Sequence, residues 1–233
     1  MYYINCGEVM INSHSKLIAN HYDIISDEFD CSRVRIWNMV NRFLTKHNKV
    51  YKQSLLDAGV GNGKNLIFAN NLNYHTLGID ISDNLLEICR KKCIEVHNVD
   101  VLDLYPHMFG KFDIIISIAV IHHLKTIESQ IQAIVNMLNC LVKDGRLLIS
   151  VWSHEKTDIF SEITEDIECR NFDIGPNIVE WNSRNRKIKI DRFYYIHNFT
   201  TFFGMMCQVS EIVPISFAIS WEKQNWFCEI YKL

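Results

Sequence analysis

Short apolar runs alternate with helix-like patterns between residues 55 and 152, and we interpret the runs as strands. They lie at 55–58, 75–80, 96–102, 112–120 and 146–152, and the run at 112–120 is apolar almost throughout. A strand without polar alternation is typical of a parallel sheet that is covered on both faces. Residues 127–141 have helical spacing, and 143–145 are turn residues before the fifth run. The pattern therefore predicts an α/β fold with a parallel sheet and right-handed crossovers.

The first strand ends in three glycines at alternate positions, a loop that can hold a nucleoside cofactor. Gly59, Gly61 and Gly63 follow Asp57, and Asp80 closes the second strand seventeen residues beyond Gly63. Glycines let the backbone turn tightly and approach a ligand, and an acid after the second strand can bind both ribose hydroxyls. The spacing lacks the G-x-x-G step of dinucleotide sites. It suits S-adenosylmethionine, which has no phosphate, and we expect Asp57 to lie near its cationic end.

Further candidates for the cofactor site follow from the sheet, because ligands of such folds bind at the carboxyl ends of the strands. Asp100 ends the third predicted strand, where we expect the adenine ring. The remaining candidates lie in the glycine loop or at strand ends: Lys64, Ile81, Ser82, Val101, Leu102, Ser117, Ile118, Ala119 and His122.

Four motifs, at 57–64, 78–83, 112–123 and 145–152, resemble those of class I S-adenosylmethionine-dependent methyltransferases. The string Ser-Ile-Ala-Val-Ile-His-His at 117–123 is more specific. It resembles the eukaryotic tRNA methyltransferases that esterify the carboxymethyl group on wobble uridine. Residues 21–37 and 192–197 resemble that family's opening helix and its late arginine–aromatic–histidine segment. The chain departs from the family at Val60, where cysteine is usual, and in its short segment between Trp152 and Arg192.

The resemblance implies a Rossmann-like, doubly wound sheet of seven strands, mostly parallel, with an antiparallel C-terminal strand pair. We place this pair at 209–219 and 226–231, after a short helix at 198–206, with Pro214 at a bulge or an edge. Residues 1–233 are then a single class I methyltransferase domain, with an N-terminal helical segment at 1–50 and a substrate-side insertion at 153–198.

The resemblance also implies a reaction. A methyl group would pass from S-adenosylmethionine to the carboxylate of 5-carboxymethyluridine, at the wobble position of the tRNA anticodon loop, and give the methyl ester. A carboxylate is already a nucleophile at neutral pH, so the enzyme has to align and desolvate it rather than deprotonate it. Arginine can grip one edge of a carboxylate with two hydrogen bonds. By resemblance, Arg33 and Arg192 are the candidates for this contact.

The predicted catalytic set is completed by four ring-bearing residues: His122, His123, Trp152 and His197. Adjacent residues that leave a strand diverge, so we expect one histidine of the pair to face the cofactor and the other to face the acceptor or a structural partner. Hydrogen bonding that orients the acceptor is the expected role. Trp152 either stacks on the uracil or belongs to the core, and His197 is either a site residue or a packed side chain.

Composition and charge restrict the remaining possibilities. The chain has 233 residues, of which 48% are hydrophobic and 22% charged, values typical of one globular domain. Its start has neither a basic segment nor a long apolar one, so we expect no secretory signal and a cytoplasmic protein. The eight cysteines form no C-x-x-C pair, and Cys89 and Cys93, which share one helix face, would need at least two more ligands from elsewhere to bind a metal. We interpret them as reduced thiols.

A formal net charge of −3 means that any RNA contact must be local. Residues 184–192 hold five basic residues and one acid, next to Tyr194 and Tyr195. This segment either follows a tRNA backbone or forms a solvated hairpin, and its place beside the late family segment favours RNA. The resemblance further implies a heterodimer with a small zinc-binding activator subunit.

Three other functions compete with this hypothesis. A methyltransferase acting on small molecules would explain the glycine loop and Asp80 but would leave the basic segment and Arg33 without a role. A catalytically inactive scaffold that binds RNA or a protein is disfavoured because the residues of the cofactor loop are intact. An NAD-dependent oxidoreductase is disfavoured by the glycine spacing.

Overall fold

The computed structural model describes residues 6–159, 171–183 and 187–233. Its strands are β1 Ser54–Ala58, β2 His75–Asp80, β3 Val96–Asn98, β4 Phe112–Ile118, β5 Leu141–Trp152, β6 Gly175–Asn182, β7 Lys189–Ile196, β8 Ile215–Trp221 and β9 Asn225–Lys232. Its α-helices are α1 Cys6–Ser32, α2 Asn38–His47, α3 Lys64–Asn71, α4 Asp83–Lys91, α5 Pro106–Phe109, α6 Ile127–Asn139 and α7 Phe199–Ile212. Two 3-10 turns lie at Val101–Asp103 and Ile121–His123.

A seven-stranded sheet forms the centre of the fold, with the strand order β3-β2-β1-β4-β5-β9-β8. The pairs from β3 to β5 are parallel, whereas β9 runs antiparallel to both β5 and β8. The predicted fold class is therefore confirmed. The order reverses between β1 and β4, and in such sheets a crevice opens there at the carboxyl ends of the strands.

The apolar β4 lies at the centre because helices cover both faces of the sheet. Ile115 belongs to the core cluster that α6 and α7 complete, whereas Ile114 and Ile116 belong to the cluster with α2 and α3. Successive strand residues point to opposite faces, so a strand buried on both sides must be apolar at every position. This requirement explains the continuous apolar run in the sequence.

The C-terminal prediction is wrong in its first half. Residues 209–212 continue α7, and β8 begins only at Ile215. Met205, Met206 and Val209 are buried along one side of α7, so the run from 205 to 209 is the inner face of a helix. Pro214 directly precedes β8, the edge strand of the sheet, which agrees with its predicted edge position.

Two shorter predictions also need correction. The turn predicted at 143–145 lies inside β5, where Asp144 has φ 63 and the register with β4 shifts. The strand predicted at 96–102 ends at Asn98, because the Asp100 side chain accepts a hydrogen bond from the Leu102 amide and caps a 3-10 turn.

The predicted insertion at 153–198 contains a separate antiparallel hairpin of β6 and β7. Lys189 and Arg192 of the basic segment lie in β7, whereas residues 184–186 lie outside the described residues. Six cysteines are free thiols: Cys31, Cys89, Cys93, Cys140, Cys207 and Cys228. No helix in that part combines the length and apolarity that crossing a membrane requires. The division into a single domain with these segments stays a prediction.

Candidate functional site

A cleft of about 990 Å³ opens at the carboxyl ends of β1, β2 and β4, below α1. Fourteen of the twenty predicted site residues line it: Arg33, Gly59, Gly61, Lys64, Asp80, Ile81, Asp100, Val101, Ile118, Ala119, His122, His123, Trp152 and Arg192. A smaller cavity of about 460 Å³ lies at the amino ends of β1 and β4 and contains none of the predicted residues. The sheet therefore brings the two predicted groups of residues, cofactor-binding and catalytic, into one cleft.

The glycine loop is fixed to β2 by its backbone. The amides of Gly59 and Val60 both donate to the Ile79 carbonyl at 2.8 Å. Gly59 has φ +91, and a Cβ added there would lie 2.2 Å from Cγ2 of Val120. Only glycine satisfies both the backbone conformation and the space. Glycine therefore lets the loop pack directly on Val120, in the segment after β4.

Asp80 holds the same loop from the end of β2. Its Oδ2 accepts a hydrogen bond from the Gly61 amide at 2.8 Å, and its Oδ1 accepts one from the Ser82 amide at 3.0 Å. Burial raises the pKa of this carboxyl, and hydrogen bonds from the backbone of Ser82, Gly61 and Ile81 oppose the shift. An ionised carboxylate offers about four acceptor positions, so Asp80 retains capacity for a hydroxyl group of a ligand.

Asp57 does not line the cleft, so the expectation that it meets the ligand's cationic end is not supported by its position. It lies in β1, fully buried, and Nδ2 of Asn65 donates to its Oδ2 at 3.2 Å. Burial raises the pKa of Asp57 to about 8. Its place below the loop follows from strand alternation, because the side chain points into the sheet packing rather than towards the loop.

Four other predicted cofactor residues support the cleft from behind rather than line it. Gly63 leaves space for Ile94, whose Cδ1 would lie 2.3 Å from an added Cβ. Ser82 caps α4 by accepting from the Leu85 amide. Ser117 donates through Oγ to the Ala58 carbonyl at 2.8 Å. Leu102 donates its amide to Asp100. These residues fix loop and helix positions through contacts behind the cleft.

Helix α1 covers the cleft and is tied to its floor by two aspartates. Asp23 Oδ1 accepts from the Ser82 hydroxyl at 2.6 Å and from the Asn84 amide at 3.0 Å. Asp30 Oδ1 accepts from Lys92 Nζ at 2.6 Å and from the Asn62 side chain at 2.9 Å. The opening helix is therefore part of the site, and it contributes His14, Tyr22 and Phe29 to the cleft wall.

The tautomer of His123 follows from its two partners. Its Nδ1 is 2.8 Å from the Phe193 carbonyl, and its Nε2 is 2.8 Å from the Tyr22 hydroxyl. A carbonyl only accepts, so Nδ1 carries the hydrogen. Burial lowers the pKa of His123 to about 3, so the ring is neutral and its Nε2 accepts from Tyr22. The single basic nitrogen of His123 is thus already occupied.

His122 is fixed in the opposite sense. Its Nδ1 accepts a hydrogen bond from the Trp152 amide at 3.1 Å, so this nitrogen has no hydrogen of its own. The two histidines lie edge to face, with ring centroids 4.7 Å apart. In each ring the nitrogen lone pair therefore accepts a hydrogen bond from the protein, in His122 from a backbone amide and in His123 from a phenol.

Trp152 packs against two other rings at the rim of the cleft. Tyr194 stacks on it with a centroid distance of 4.0 Å, and Phe172 lies nearly parallel to it at 5.7 Å. Tyr194 is itself buried and hydrogen-bonds to Tyr22. Stacking of a base on Trp152, one of the two predicted roles, stays a prediction.

Arg192 is a buried cation on the wall of this cleft. It is 8% exposed, and its guanidinium lies 5.2 Å from the centroid of the Tyr194 ring. Its Nε has no hydrogen-bond partner among the described residues, and it forms no ion pair with an acid among them. Buried arginines are normally paired with an acid. Arg192 is therefore poised to bind an anion that enters the cleft.

Arg33 lines the cleft near the glycine loop. Its carbonyl accepts from the Asn62 side chain, and its guanidinium is 5.8 Å from the centroid of the Phe29 ring. Burial lowers the pKa of Lys64, and the charge of Arg33 lowers it further. Arg33 and Lys64 both line the cleft beside the glycine loop, whereas Arg192 lines it from β7.

His197 is not in the cleft, and its prediction as a catalytic residue is not supported by its position. It is fully buried, with Nε2 2.8 Å from Oε1 of Gln130, and burial lowers its pKa to about 4. It follows β7, where the alternation of side chains turns it away from Arg192 and Tyr194. These surroundings agree with the other predicted alternative, in which His197 is a packed side chain.

Tyr22, Tyr194 and His14 line the cleft although they were not among the predicted site residues. His14 donates through Nε2 to the His123 carbonyl at 2.8 Å, and burial lowers its pKa. All three lie on segments that the sequence had marked at most by resemblance. Their contacts with His123 join positions about 70 to 110 residues apart, which local pattern does not reveal.

Comparison with known proteins identifies the domain. Residues 56–149 match the family model of the methyltransferase domain. The chain is 40% identical over 136 residues to the tRNA (carboxymethyluridine(34)-5-O)-methyltransferase of Xenopus tropicalis, across 58% of this chain and 21% of that protein. It is 35% identical over 161 residues to the probable tRNA methyltransferase 9B of Bos taurus, across 69% of this chain and 32% of that protein. The chain thus spans about a fifth to a third of these relatives' length.

The fold is also similar to that of a solved structure. The DhpI–SAH complex superposes with a TM-score of 0.67 at 10% sequence identity, across 94% of this chain and 96% of that one. At this identity the likeness concerns the fold alone.

Proposed function

We propose, from the premise that residues 56–149 belong to the methyltransferase domain family, that this protein transfers a methyl group from S-adenosylmethionine to a carboxylate on tRNA. The acceptor in this proposal is 5-carboxymethyluridine at the wobble position, and the product is its methyl ester. Two curated relatives are named as tRNA methyltransferases, and these names support the choice of a tRNA acceptor. The observation that carries it is Arg192, a buried cation in the cleft that forms no ion pair with an acid in the described part of the chain.

The residues of the cleft fit S-adenosylmethionine, which supplies an electrophilic methyl group on a sulfonium. Asp80 lines the cleft and retains acceptor capacity for a ribose hydroxyl, and Asp100 and Val101 line the part of the cleft where the adenine would lie. Arg33 and Lys64 place two neighbouring cations at the glycine loop. A carboxylate would relieve their mutual repulsion, so we assign them to the methionyl carboxylate of the cofactor. This assignment moves Arg33 from the acceptor to the cofactor.

The histidines favour an acceptor that arrives already ionised. A hydroxyl or amine acceptor at neutral pH needs a general base with an open lone pair and a pKa near 7. His123 has neither, because Tyr22 occupies its Nε2 and burial lowers its pKa to about 3. His122 uses its Nδ1 on the Trp152 amide. A carboxylate has a pKa of about 4 and needs no base.

Arg192 would hold one edge of this carboxylate and leave the other oxygen free to attack. The guanidinium fork suits such a contact, and its fixed position over Tyr194 limits the directions that the attacking oxygen can take. The surrounding rings exclude water, which increases the reactivity of the carboxylate. The small-molecule alternative would share the cofactor site, and acceptor choice separates the two.

Two finer points belong to the same proposal. The resemblance to the wobble-uridine family supports a heterodimer with a small zinc-binding activator subunit. Six free thiols and a tRNA substrate support a cytoplasmic location.

The experiment that tests the proposal measures methyl transfer from labelled S-adenosylmethionine, with the protein co-expressed with a candidate activator. The acceptors are tRNA with 5-carboxymethyluridine, the same tRNA with the uncharged carbamoylmethyl group, and unmodified tRNA. We expect a base-labile methyl ester on the first alone. Transfer to either of the other two, or no transfer despite calorimetrically measured cofactor binding, would contradict the proposed acceptor.

Arg192→Gln tests, in the same assay, whether Arg192 binds the acceptor carboxylate. Loss of a charged hydrogen-bond partner from a buried site costs about 2–4 kcal/mol, so kcat/KM should fall about 30- to 700-fold. The cofactor Kd should stay within about twofold, because Arg33 and Lys64, which we assign to the cofactor, are unchanged in this variant. Equal loss of cofactor affinity would show that our division between the two arginines is wrong.

A further inference from the structure

The segment between α1 and α2 forms one rim of the cleft. Residues 33–37 follow α1 directly, and Arg33, Val34, Arg35 and Ile36 all line the cleft. The segment is anchored on both sides. At its start the Arg33 carbonyl accepts from the Asn62 side chain, and at its end Trp37 packs edge to face on Phe227. The two residues between these anchors, 34 and 35, therefore stand at the rim in a fixed place.

Val34 is the most exposed of the apolar side chains that line the cleft, at 72%. A single exposed apolar residue on a protein surface is ordinary, but this one lies at the entrance to a reaction cleft. The face of Trp152 that stacks on Tyr194, at a centroid distance of 4.0 Å, is already used within the protein. Val34 therefore offers a base at the entrance an exposed apolar surface.

Arg35 supplies a charge beside it. Its side chain is exposed, lines the cleft and forms no ion pair among the described residues. Two acids are neutralised by other cations, because Glu222 of the cleft lining is paired with Arg42 at 2.8 Å and Asp30 is paired with Lys92. Arg35 therefore keeps its positive charge at this rim, on a chain whose formal net charge is −3. Such a local field attracts a polyanion to one place on the protein.

We propose that Val34 and Arg35 are the entrance contact for single-stranded RNA. Arg35 pairs with a backbone phosphate, and Val34 packs on the base next to the acceptor nucleotide, which keeps the acceptor unstacked and turned into the cleft. An apolar side chain that enters a base step is an established way to hold bases apart. The inference rests on the proposed function for the identity of the RNA, and it adds the surface that receives the strand.

The test separates RNA binding from chemistry by using two acceptors. The first is a synthetic anticodon stem-loop with 5-carboxymethyluridine, and the second is the free nucleoside, which has no flanking base or phosphate. Arg35→Gln and Val34→Asp are compared with matched surface controls, Arg90→Gln on α4 and Val50→Asp in the loop before β1. Val50 is fully exposed at the opposite end of the sheet, so its substitution adds the same charge away from the cleft.

We expect Arg35→Gln to weaken stem-loop binding about 3- to 10-fold and to reduce the slope of log K against log salt by about 0.7, the value for one lost contact on a single strand. Val34→Asp should weaken it at least about 10-fold. Cofactor Kd and transfer to the nucleoside should stay at the wild-type values, and both controls should bind the stem-loop normally.

Three results would overturn the inference. They are wild-type stem-loop affinity in both rim variants, an equal loss of stem-loop affinity in the controls, or a loss of cofactor affinity together with the loss of stem-loop affinity. Failure of the proposed function has a different signature. The wild-type protein would then bind the stem-loop and depend on Val34 and Arg35 but would transfer no methyl group to it. If the wild-type protein does not bind the stem-loop at all, the entrance contact is refuted.

Discussion

A single added methyl group at Gly59 tests the geometry of the glycine loop directly. In Gly59→Ala the new Cβ would lie 2.2 Å from Cγ2 of Val120, where carbon atoms normally stay about 3.5–4.0 Å apart. The backbone at φ +91 adds about 1–2 kcal/mol of strain for a residue with a side chain. Overpacking adds about 1–3 kcal/mol. The loop cannot move away cheaply, because two amides hold it to the Ile79 carbonyl.

We therefore expect Gly59→Ala to lower the free energy of unfolding by about 2–5 kcal/mol, or to displace the loop and lose cofactor affinity by the corresponding factor. Urea unfolding without ligand and calorimetric titration with S-adenosylmethionine measure the two quantities. A second substitution separates the two causes. Val120→Ala removes the two methyl carbons at 2.2 and 3.0 Å and leaves Cβ at 3.2 Å. The double variant should recover the stability that Gly59→Ala loses to overpacking, and it should keep the loss that comes from backbone strain.

Gly204→Ala is the matched control. Gly204 lies within α7, has no atom within 4 Å of an added Cβ, and needs no left-handed backbone. Alanine there should stabilise the helix by about 0.5–1 kcal/mol. Wild-type stability and cofactor affinity in Gly59→Ala would refute the predicted clash with Val120. A double variant that is no more stable than Gly59→Ala alone would refute it as well.

Three further substitutions test individual contacts. Asp80→Asn should abolish measurable cofactor binding by calorimetry, since one amide oxygen cannot replace a carboxylate that already serves two backbone amides. Tyr22→Phe should cost about 1–3 kcal/mol in urea unfolding, because His123 Nε2 loses its donor; an unchanged midpoint would contradict that hydrogen bond. His197→Gln should flatten the pH dependence of stability between pH 6.5 and 4. The folded-state pKa of about 4 lies below the unfolded value of about 6.5, so wild-type stability is lost as pH falls through this window. Exposed His107→Gln should leave the slope unchanged.

The sheet and the glycine loop could be predicted because their signals are local. The apolar run of β4 needs only its own composition, and the loop needs only the spacing of Gly59, Gly61 and Asp80. Both predictions are confirmed, as is the methyltransferase domain that they led to. The wrong strand prediction at 209–219 also came from a local signal. Valine and isoleucine in this run favour a strand, but the packing of Met205 and Val209 on the core extends helix α7 to Ile212.

Side-chain roles were less predictable because they depend on distant partners. Asp57 and His197 have the residue types and positions of functional groups, yet strand alternation turns both into the interior. Tyr22 and Tyr194 enter the cleft from α1 and β7, on either side of the sheet in sequence. The sequence offered a resemblance for both segments but no means of knowing which side chain would reach the cleft.

The pair His122–His123 shows most clearly what a motif leaves open. Two adjacent histidines after a strand suggest acid–base chemistry, and residue types alone do not exclude it. The tautomers decide the matter, and they are set by the Phe193 carbonyl, the Tyr22 hydroxyl and the Trp152 amide, none of which lies near the pair in sequence. With both lone pairs engaged, proton removal would first require a hydrogen bond to break inside a buried cluster.

A cleft built in this way can act on a substrate that needs no proton removed. Arg192 provides the charge that such a substrate must match. The transfer rate should therefore be independent of pH between about 6 and 9, a range well above the pKa of about 4 of a carboxylate acceptor. A rate that rises with a pKa near 7, measured at saturating cofactor, would return a histidine base to the reaction. It would also refute the hydrogen-bond assignment on which the choice of a carboxylate acceptor depends.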